Sequence, residues 1–588
     1  MKLKISYLIL FTLIVNIFFA NATVRYVSKT GTSTPPYTSW TTAADSIQKC
    51  INICVDGDTV YVANGVYKEN LVINTAISLI GSSMDSTVID GRGLGNFTIT
   101  LNGTCTIKYL NVYGKGLSTI QTATITAFKY LFIEYCRISE ASDGVDFINS
   151  GMIRNCVITD CRAGMGLAPV FDTCKIFVNN NLITLKNANE SGISSSSLGE
   201  YYITNNIILF TGANSLGHGI SIGAPKKVYI YNNLISGFRY RSINFDTVID
   251  TAFVIYNILA YGGSLHSSGN RIYVNNVVLT NNGRSIYQSG SGFISSDYNL
   301  FWKNGLDLDG TTYGDSDRVA DPMFVKDTLP NAELDFDYHL QAFSPAIDKG
   351  DPNILDLDGT RSDIGMYGGP FGETYTYQDL APLAPRNLSA IVDSISIFVK
   401  WNTNTEADTA FYNVYLDTTT NFIIDSTKLV SSSTDTFFVQ SNPHINTRYV
   451  YKVTCVDNQG NESKPSEEIV VDLTSVSTDE YPMAINDYLL YQNYPNPFNP
   501  STKIGYKLKE RAYVKLMVYD IKGELISVLV NKEQNAGYYE VEFNVGNGLP
   551  SVPNVQGLAS GIYLYRIEVI QEGNIPVYSE MKKMILIK

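Results

Sequence analysis

From Ile107 to about Leu300 the chain repeats one phrase, in which a short β-branched run leads into one or two asparagines and then a second apolar run. The phrase reads at Ile153 to Ile158, Val178 to Ile183, Ile203 to Ile208, Ile230 to Ile235, Ile255 to Leu259 and Val274 to Val278. Its marker asparagines, Asn155, Asn181, Asn206, Asn233, Asn257, Asn276 and Asn299, lie 19 to 27 residues apart with a mean of 24. A period in the twenties, made of strand-length runs without a helical phrase, predicts stacked β coils. Leucine-rich repeats share that period but require a fixed leucine spacing that is absent here. The expected body is therefore a right-handed parallel β-helix. Its Ile, Val and Leu residues face a dry core while backbone groups pair with the coils on either side. Asparagine suits the corners, because it tolerates left-handed backbone and stacked amides form a hydrogen-bonded ladder.

The pattern changes at both ends of the repeats. Ala43, Ala44, Ile47 and Ile51 fall at helical spacing with Ser39 or Thr41 available as cap, which predicts a short helix before the coils. From Ala384 onward, period-two runs such as Ile395, Ile397, Val399 and Trp401 predict strands of small antiparallel sandwiches. The fold class expected is all-β, a right-handed parallel β-helix followed by two small antiparallel β-sandwich domains. At the start of the chain, Lys2 and Lys4 precede an apolar run from Ile5 to Phe19 and then Ala20, Asn21 and Ala22. That is the order of a secretory signal peptide, and the run is too short to span a bilayer. The expected organisation is a signal peptide at 1–22, a β-helix at 23–370, a linker at 371–383, a sandwich at 384–474, a linker at 475–490 and a second sandwich at 491–588.

Only 17% of the residues are charged and the net charge is -13. Without a basic surface to neutralise phosphates, nucleic acid is excluded as an expected partner, and no transmembrane segment is expected in the mature chain. The 8 cysteines are too dilute for a disulfide scaffold and lack zinc-site spacing. Cys136 and Cys156 occupy equivalent places in successive repeats, either as packed thiols or as a bridge.

Four resemblances extend this reading. The helix phrase, with Gly57 to Val62, Gly65 to Asn70 and Ile77 to Gly81, resembles the opening of pectin-lyase-like β-helix proteins, where a short helix covers the open end of the core. Ser344 to Asp351 and Asp356 to Gly365 resemble the ending of bacterial secreted β-helix proteins. Leu388, Trp401 and Tyr449 to Ser463 resemble a fibronectin type III domain, with Tyr449 at its tyrosine-corner position. Tyr494 to Thr502, Val514 to Gly523, Leu558 to Tyr563 and Lys582 to Lys588 resemble the type A sorting domain of type IX secretion. That last resemblance implies the type IX secretion machinery as partner and a secreted or cell-surface location in a Gram-negative bacterium.

Candidate chemistry is sparse. Gly217 to Gly223, carrying His218, resembles the Gly-His-Gly segment of polygalacturonases, and Ser142 to Asp146, carrying Asp143 and Asp146, resembles their first aspartate motif. Asp160 is followed by Cys161 where those enzymes carry a second carboxylate, and Arg241 belongs to a phrase lacking their final lysine. Asp143, Asp146, Asp160, His218 and Arg241 are thus the catalytic candidates, since glycoside hydrolysis needs an acid and a base. Asp307, Asp309, Asp356 and Asp358 stand around tight Asp-Gly turns, and Asp356, Asp358 and Asp363 are the ligands expected if calcium is bound. Tyr201, Tyr202, Tyr229, Tyr231 and Tyr240 offer rings to sugars. Two function classes stay open: a surface protein that binds a polysaccharide or cell-surface glycan, and a secreted lyase or glycoside hydrolase acting on an acidic polysaccharide.

Overall fold

The computed structural model describes residues 22–116, 123–186, 191–212, 216–246, 251–279, 283–290, 292–329, 334–392, 396–444, 446–473, 488–545, 558–571 and 576–587. The expected signal peptide lies outside them, apart from Ala22. The chain divides near residue 380 into two compact units. The first is a parallel β-solenoid of three sheets, with twelve, twelve and eleven strands among the described residues. Its first sheet runs from Val24–Val27 to Ile294–Asp297, its second from Gly65–Tyr67 to Arg318–Val319 and its third from Leu71–Ile73 to Leu306–Asp309. The coils therefore begin well before the asparagine phrase does.

One corner explains the phrase. Between the first and second sheets each coil places one residue in left-handed backbone and the next inside the core. The left-handed residues are Tyr109, Tyr135, Asn155, Asn180, Asn205, Asn232, Tyr256, Asn275 and Tyr298. The residues that follow them are Leu110, Cys136, Cys156, Asn181, Asn206, Asn233, Asn257, Asn276 and Asn299. In that second column each asparagine Oδ1 accepts the backbone amide and the Nδ2 of the preceding coil's asparagine, as Asn233 does from Asn206 at 2.9 Å and 2.9 Å. The ladder ends on the carboxylate of Asp317, which accepts from Asn299 N at 2.8 Å and Nδ2 at 3.0 Å. A carboxylate is a fitting last rung because it only accepts. At the other end Cys156 N donates to Asn181 Oδ1 at 3.0 Å and Cys136 N reaches Cys156 Sγ at 3.4 Å. Both cysteines are free and buried.

The predicted helix is shorter than its spacing suggested. It spans Ile47–Ile51 and is capped by Ser46 rather than Ser39 or Thr41. Ala44 is instead bridged to Val27. The carboxylate of Glu69 anchors the helix start, accepting from Ile47 N at 3.0 Å and Gln48 N at 2.9 Å. Anions favour this end because its amides have no intrahelical partner. Ile47, Cys50 and Ile51 are buried in the same core as Val27, Val60 and Leu71, so the helix covers the first coil as expected.

At later coils the chain covers one of its own faces. The outer side of the second sheet is apolar, and Leu234, Ile258, Val277 and Leu300 there pack with Tyr338, Ala346, Ile364 and Met366 of the segment that follows the coils. The left-handed asparagines hold this segment down: Asn232 Nδ2 donates to Met366 O at 2.8 Å and Gly368 O at 2.7 Å, and Asn205 Nδ2 to Phe371 O at 3.0 Å. In an Asn-Asn pair the second residue thus ties coil to coil and the first ties coil to cover.

Among the described residues the sheets of the second unit are antiparallel. Three strands (Ser389–Val392, Ser396–Lys400, Phe437–Ser441) and four strands (Leu429–Ser433, Thr409–Asp417, Arg448–Asp457, Ile469–Asp472) surround a core that includes Trp401 and Tyr449. The Tyr449 hydroxyl accepts the His444 amide at 2.7 Å. A further three strands (Leu489–Leu490, Ser501–Leu508, Gly537–Asn544) and four (Leu525–Gln534, Ala512–Tyr519, Gly561–Ile570, Pro576–Leu586) enclose a separate core. Among the described residues no helix is long and apolar enough to cross a membrane.

Candidate functional site

The third sheet differs from the other two because a small residue recurs near the start of its strands. Gly144, Gly164, Gly192 and Gly219 stack in successive coils, and a Cβ on any of them would come within 3 Å of the next coil's carbonyl oxygen. With that position and the following one both turned toward the core, the residues on either side face outward as a pair. The pairs are Asp143 with Asp146, Ala163 with Gly166, Ser191 with Ser194, His218 with Ser221 and Arg241 with Asn244. The phrase that carries His218 is therefore one rung of a structural column, and so is the phrase that carries Asp143. The column ends at Ser242, whose Oγ donates to Gly263 O at 3.2 Å where the register to the next strand shifts.

Register places Ser221 beside Asn244, Asn244 beside His266 and His266 beside Tyr287. His218 sits beside Arg241. The side chains bond along this row. Asn244 Nδ2 donates to Ser221 Oγ at 3.2 Å and to Asp246 Oδ1 at 3.1 Å. Arg241 Nη1 donates to Asn244 Oδ1 and lies 3.1 Å from His266 Nδ1. That His266 nitrogen is also 2.9 Å from Asn244 Oδ1, so it serves one neighbour at a time, accepting from the guanidinium or donating to the amide. Its Nε2 lies 2.7 Å from Ser289 Oγ. Burial, and then the charge of Arg241, lower the pKa of His266, and the same two causes push that of His218 down to about 4. Both imidazoles are neutral at ordinary pH. His218 has Ser191 Oγ at 3.4 Å from Nδ1, while its Nε2 is buried without a hydrogen-bond partner. Tyr240, 52% exposed, stands beside this group with its ring 5.4 Å from that of His218 and 4.8 Å from the Arg241 guanidinium.

The acidic candidates lie elsewhere on the same sheet. Three strand steps separate Asp146 from Ser221, through Gly166 and Ser194, which is about 14 Å at the usual strand spacing. Burial, reinforced by the charge of Asp143, raises the Asp146 carboxyl to about 7. Gly166 of the next coil leaves the space that Asp146 Oδ1 fills. Asp160 belongs to neither outward column: it takes left-handed backbone in the turn before the third sheet and pairs with Lys186 at 3.0 Å. The structure thus brings Asp143 to Asp146 and His218 to Arg241, and brings neither pair to Asp160.

The calcium candidates already use their oxygens. Asp356 accepts from the amides of Gly369 and, at 2.9 Å, Asp363. Asp358 accepts from Thr360 N at 2.9 Å, and Asp363 from Asp348 N at 2.9 Å and Tyr377 Oη at 2.8 Å. Among the described residues these three carboxylates do not share a ligating centre. Asp307 accepts from Asn304 and Tyr313, and Asp309 pairs with Arg284 at 2.7 Å.

The tyrosines separate by environment. Tyr201 is fully buried. On the first sheet's outer face Phe177, Tyr202, Tyr229 and Phe253 stack at 4.7, 4.9 and 5.3 Å between ring centres, near parallel. Rings so stacked cover one another's faces and present edges outward, whereas a sugar ring packs on an open face. Tyr231 stacks with Phe371. Tyr240 is the tyrosine of this set that stands open beside polar groups. Asn244, His266, Tyr287 and Ser289 had not been singled out from the sequence, and the available signals were weak. Two of the four histidines fall on this face, and the residues at 221, 244, 266 and 287 recur at near-constant spacing.

No protein-family model and no curated protein matches this chain. Among solved structures, the pectate lyase Pel9A aligns over 61% of this chain and 98% of its own at 15% identity, with a TM-score of 0.41. XylC in complex with xylose aligns over 76% of this chain and 100% of its own at 12% identity, with a TM-score of 0.35. Latent PorU from Porphyromonas gingivalis aligns over 35% and 20% at 15% identity, with a TM-score of 0.19. Likenesses this distant lend no activity to the chain, and the solenoid stands on its own strand register.

Proposed function

We propose that this chain is an exported protein whose solenoid binds an extended glycan along the outer face of its third sheet. The observation that carries the reading is the row of Arg241, Asn244, His266 and Ser221 beside the open ring of Tyr240. Sugar recognition combines an apolar ring face with hydrogen-bonding groups fixed in place, and a row with one member per coil matches a polymer running along the stack. Export is supported by the signal-like first residues. The sorting-domain resemblance of 491–588 supports delivery by type IX secretion to the cell surface or medium of a Gram-negative bacterium. The fibronectin-like resemblance of 384–474, with the Tyr449 hydroxyl on the His444 amide, supports a spacer role for that module. The test is affinity electrophoresis of the purified chain in gels containing acidic or neutral polysaccharides. Retardation by at least one is expected, lost on Tyr240→Ala; mobility unchanged in every gel would sink the reading.

A second reading, hydrolysis of a polysaccharide, rests on Asp146. A carboxyl held to about 7 beside a second carboxylate is the kind of group that donates a proton to a leaving sugar. It predicts new reducing ends from a bound polysaccharide and their disappearance in Asp146→Asn.

A further inference from the structure

Three side chains on neighbouring coils form a relay that glycan binding does not require. His266 lies on the strand Ser264–Ser267, Asn244 on the adjoining strand Arg241–Phe245, and Ser289 just past the strand Arg284–Gln288 on the other side. Ser289 Oγ is 2.7 Å from His266 Nε2, and His266 Nδ1 is 2.9 Å from Asn244 Oδ1. The Asn244 amide has one orientation here. The Asp246 carboxylate only accepts, so Nδ2 faces it at 3.1 Å, and Oδ1 is left for Arg241 Nη1 and the imidazole. A carbonyl oxygen with two lone pairs takes both donors, and a hydrogen on His266 Nδ1 leaves the Nε2 lone pair aimed at the serine hydroxyl.

Access runs the right way. Ser289 is exposed, whereas His266 and Asn244 behind it are 8% and 3% exposed. The turn that carries the serine is held by Gln288, whose Nε2 donates to Gly290 O at 3.3 Å and Gly292 O at 2.6 Å. Two other histidines show what is special. His218 has Ser191 at 3.4 Å on one nitrogen and no partner on the other, and His339 is held between the carboxylates of Asp337 and Glu373 with no hydroxyl on either nitrogen. An accessible hydroxyl bonded to a buried imidazole, which a third group orients, is the arrangement that activates a serine.

We infer that Ser289, His266 and Asn244 are a nucleophile, its general base and the residue that positions the base, and that they hydrolyse a carboxylic ester. Ser289 Oγ attacks the ester carbonyl carbon as its proton passes to His266 Nε2, and the carbonyl π pair moves onto oxygen. That pair returns, the bond to the alcohol oxygen breaks, and Nε2 gives its proton to the departing alcohol. Water then attacks the acyl-serine with Nε2 again as base, releasing the carboxylic acid and restoring both side chains. The balance is ester and water to acid and alcohol, with nothing oxidised. Asn244 touches no reacting atom; it keeps the hydrogen on Nδ1. None of these steps depends on the glycan-binding reading.

The experiment treats the full chain with a fluorophosphonate, which phosphonylates activated serines, and follows p-nitrophenyl acetate hydrolysis against pH. An adduct on the peptide containing Ser289 is expected. Ser289→Ala and His266→Gln should each lower kcat/KM by roughly a hundredfold or more. Asn244→Ala should lose most of the rate in kcat, and Asn244→Asp, which restores an acceptor for Nδ1, should recover it. The charges that face His266 are Arg241 and Arg271, which disfavour the imidazolium, and Asp246, which favours it. A carboxylate at 244 adds to the second kind, so Asn244→Asp should also move the acid limb of kcat/KM to higher pH. A limb that stays in place would overturn the positioning role. Absence of an adduct at Ser289, or hydrolysis undiminished in Ser289→Ala, would overturn the inference, and retardation in polysaccharide gels would still decide the glycan reading by itself.

Discussion

The outer faces of the first and third sheets are built on the same coils but solve the surface problem in opposite ways. On the first, Phe177, Tyr202, Tyr229 and Phe253 stack on each other, and Lys108 and Arg154 clasp Glu134 at 2.8 and 2.7 Å. Each group there is satisfied by a neighbour one coil away. On the third, His218 Nε2 is buried without a hydrogen-bond partner among the described residues, Arg241 is bonded to the neutral Asn244 and lies against His266, and burial raises the Asp146 carboxyl to about 7. A face whose groups complete one another contributes stability, and a face with unmet valences costs some and keeps binding capacity in return.

The largest effect should come from the column beneath the third face. A Cβ at Gly219 would lie 2.6 Å from the carbonyl oxygen of Ser242 and press on Ile235, both fixed by the coil. Gly219→Val should cost about 3 kcal/mol or more through overpacking. It should also disturb the His218 and Arg241 pair, read as a lowered thermal midpoint together with lost glycan binding. A midpoint unchanged from the parent would show that the column is not a close-packed seam.

Next comes the corner that both faces share. Asn233→Ala leaves the buried Asn206 N without its acceptor and takes one partner each from Asn206 Nδ2, Asn257 Oδ1 and Ile203 O. Orphaned buried groups cost about 1–3 kcal/mol each, partly relieved by relaxation, so a loss of roughly 3 kcal/mol is expected in denaturant unfolding. Cys156 and Cys136 occupy the same column upstream, so Asn181→Cys should be milder than Asn181→Ala. A ladder in which both changes cost the same would place its energy in volume rather than in hydrogen bonds.

This corner also marks how far the sequence could be read. Its period was legible because six consecutive coils put asparagine in one place, and a buried amide leaves a clear trace in a sequence otherwise of Ile, Val and Leu. The coils before Asn155 were harder to count, since Leu110 and Cys136 hold the corresponding place and nothing distinguishes them from their apolar neighbours. The division of labour within each Asn-Asn pair was not legible, because two adjacent identical residues give no hint that one points inward and the other outward. At the candidate site Asp143, Asp146, His218 and Arg241 were legible as residues. Their grouping was not, because it depends on how many residues each loop adds before the next strand. Asn244 and His266 were missed for the same reason, being about one coil apart in space and 22 residues apart in sequence.

A smaller effect should separate the two faces cleanly. Tyr229→Ser removes ring contacts with Tyr202 and Phe253 from the first face and touches nothing on the third. Stacked pairs contribute about 1 kcal/mol each beyond area burial, so a loss of about 2 kcal/mol is expected with glycan affinity unchanged. Weaker glycan binding in this variant would move the binding surface to the first face.

The smallest effect lies in the pH dependence of the third face, where two groups act against each other. Asp146 is protonated up to about 7 in the folded chain and only to its ordinary 3.8 when unfolded. Between those values the native state holds the extra proton, so its contribution to stability falls as pH rises. His218 has the opposite sign: its folded value of about 4 lies below the ordinary 6.5, the unfolded state holds the extra proton between them, and stability rises with pH. Across pH 4 to 6.5 the two slopes cancel in part. Asp146→Asn should remove the falling contribution, making stability relative to the parent increase from pH 4 to 7, by on the order of 1 kcal/mol for groups that keep some solvent contact. His218→Gln should tilt the difference the other way over pH 4 to 6.5, and the double variant should lie close to the parent's slope. Parallel stability curves for Asp146→Asn and the parent would mean that Asp146 titrates as a solvated carboxylate, and the third face would then lose the proton donor on which a hydrolytic role depends.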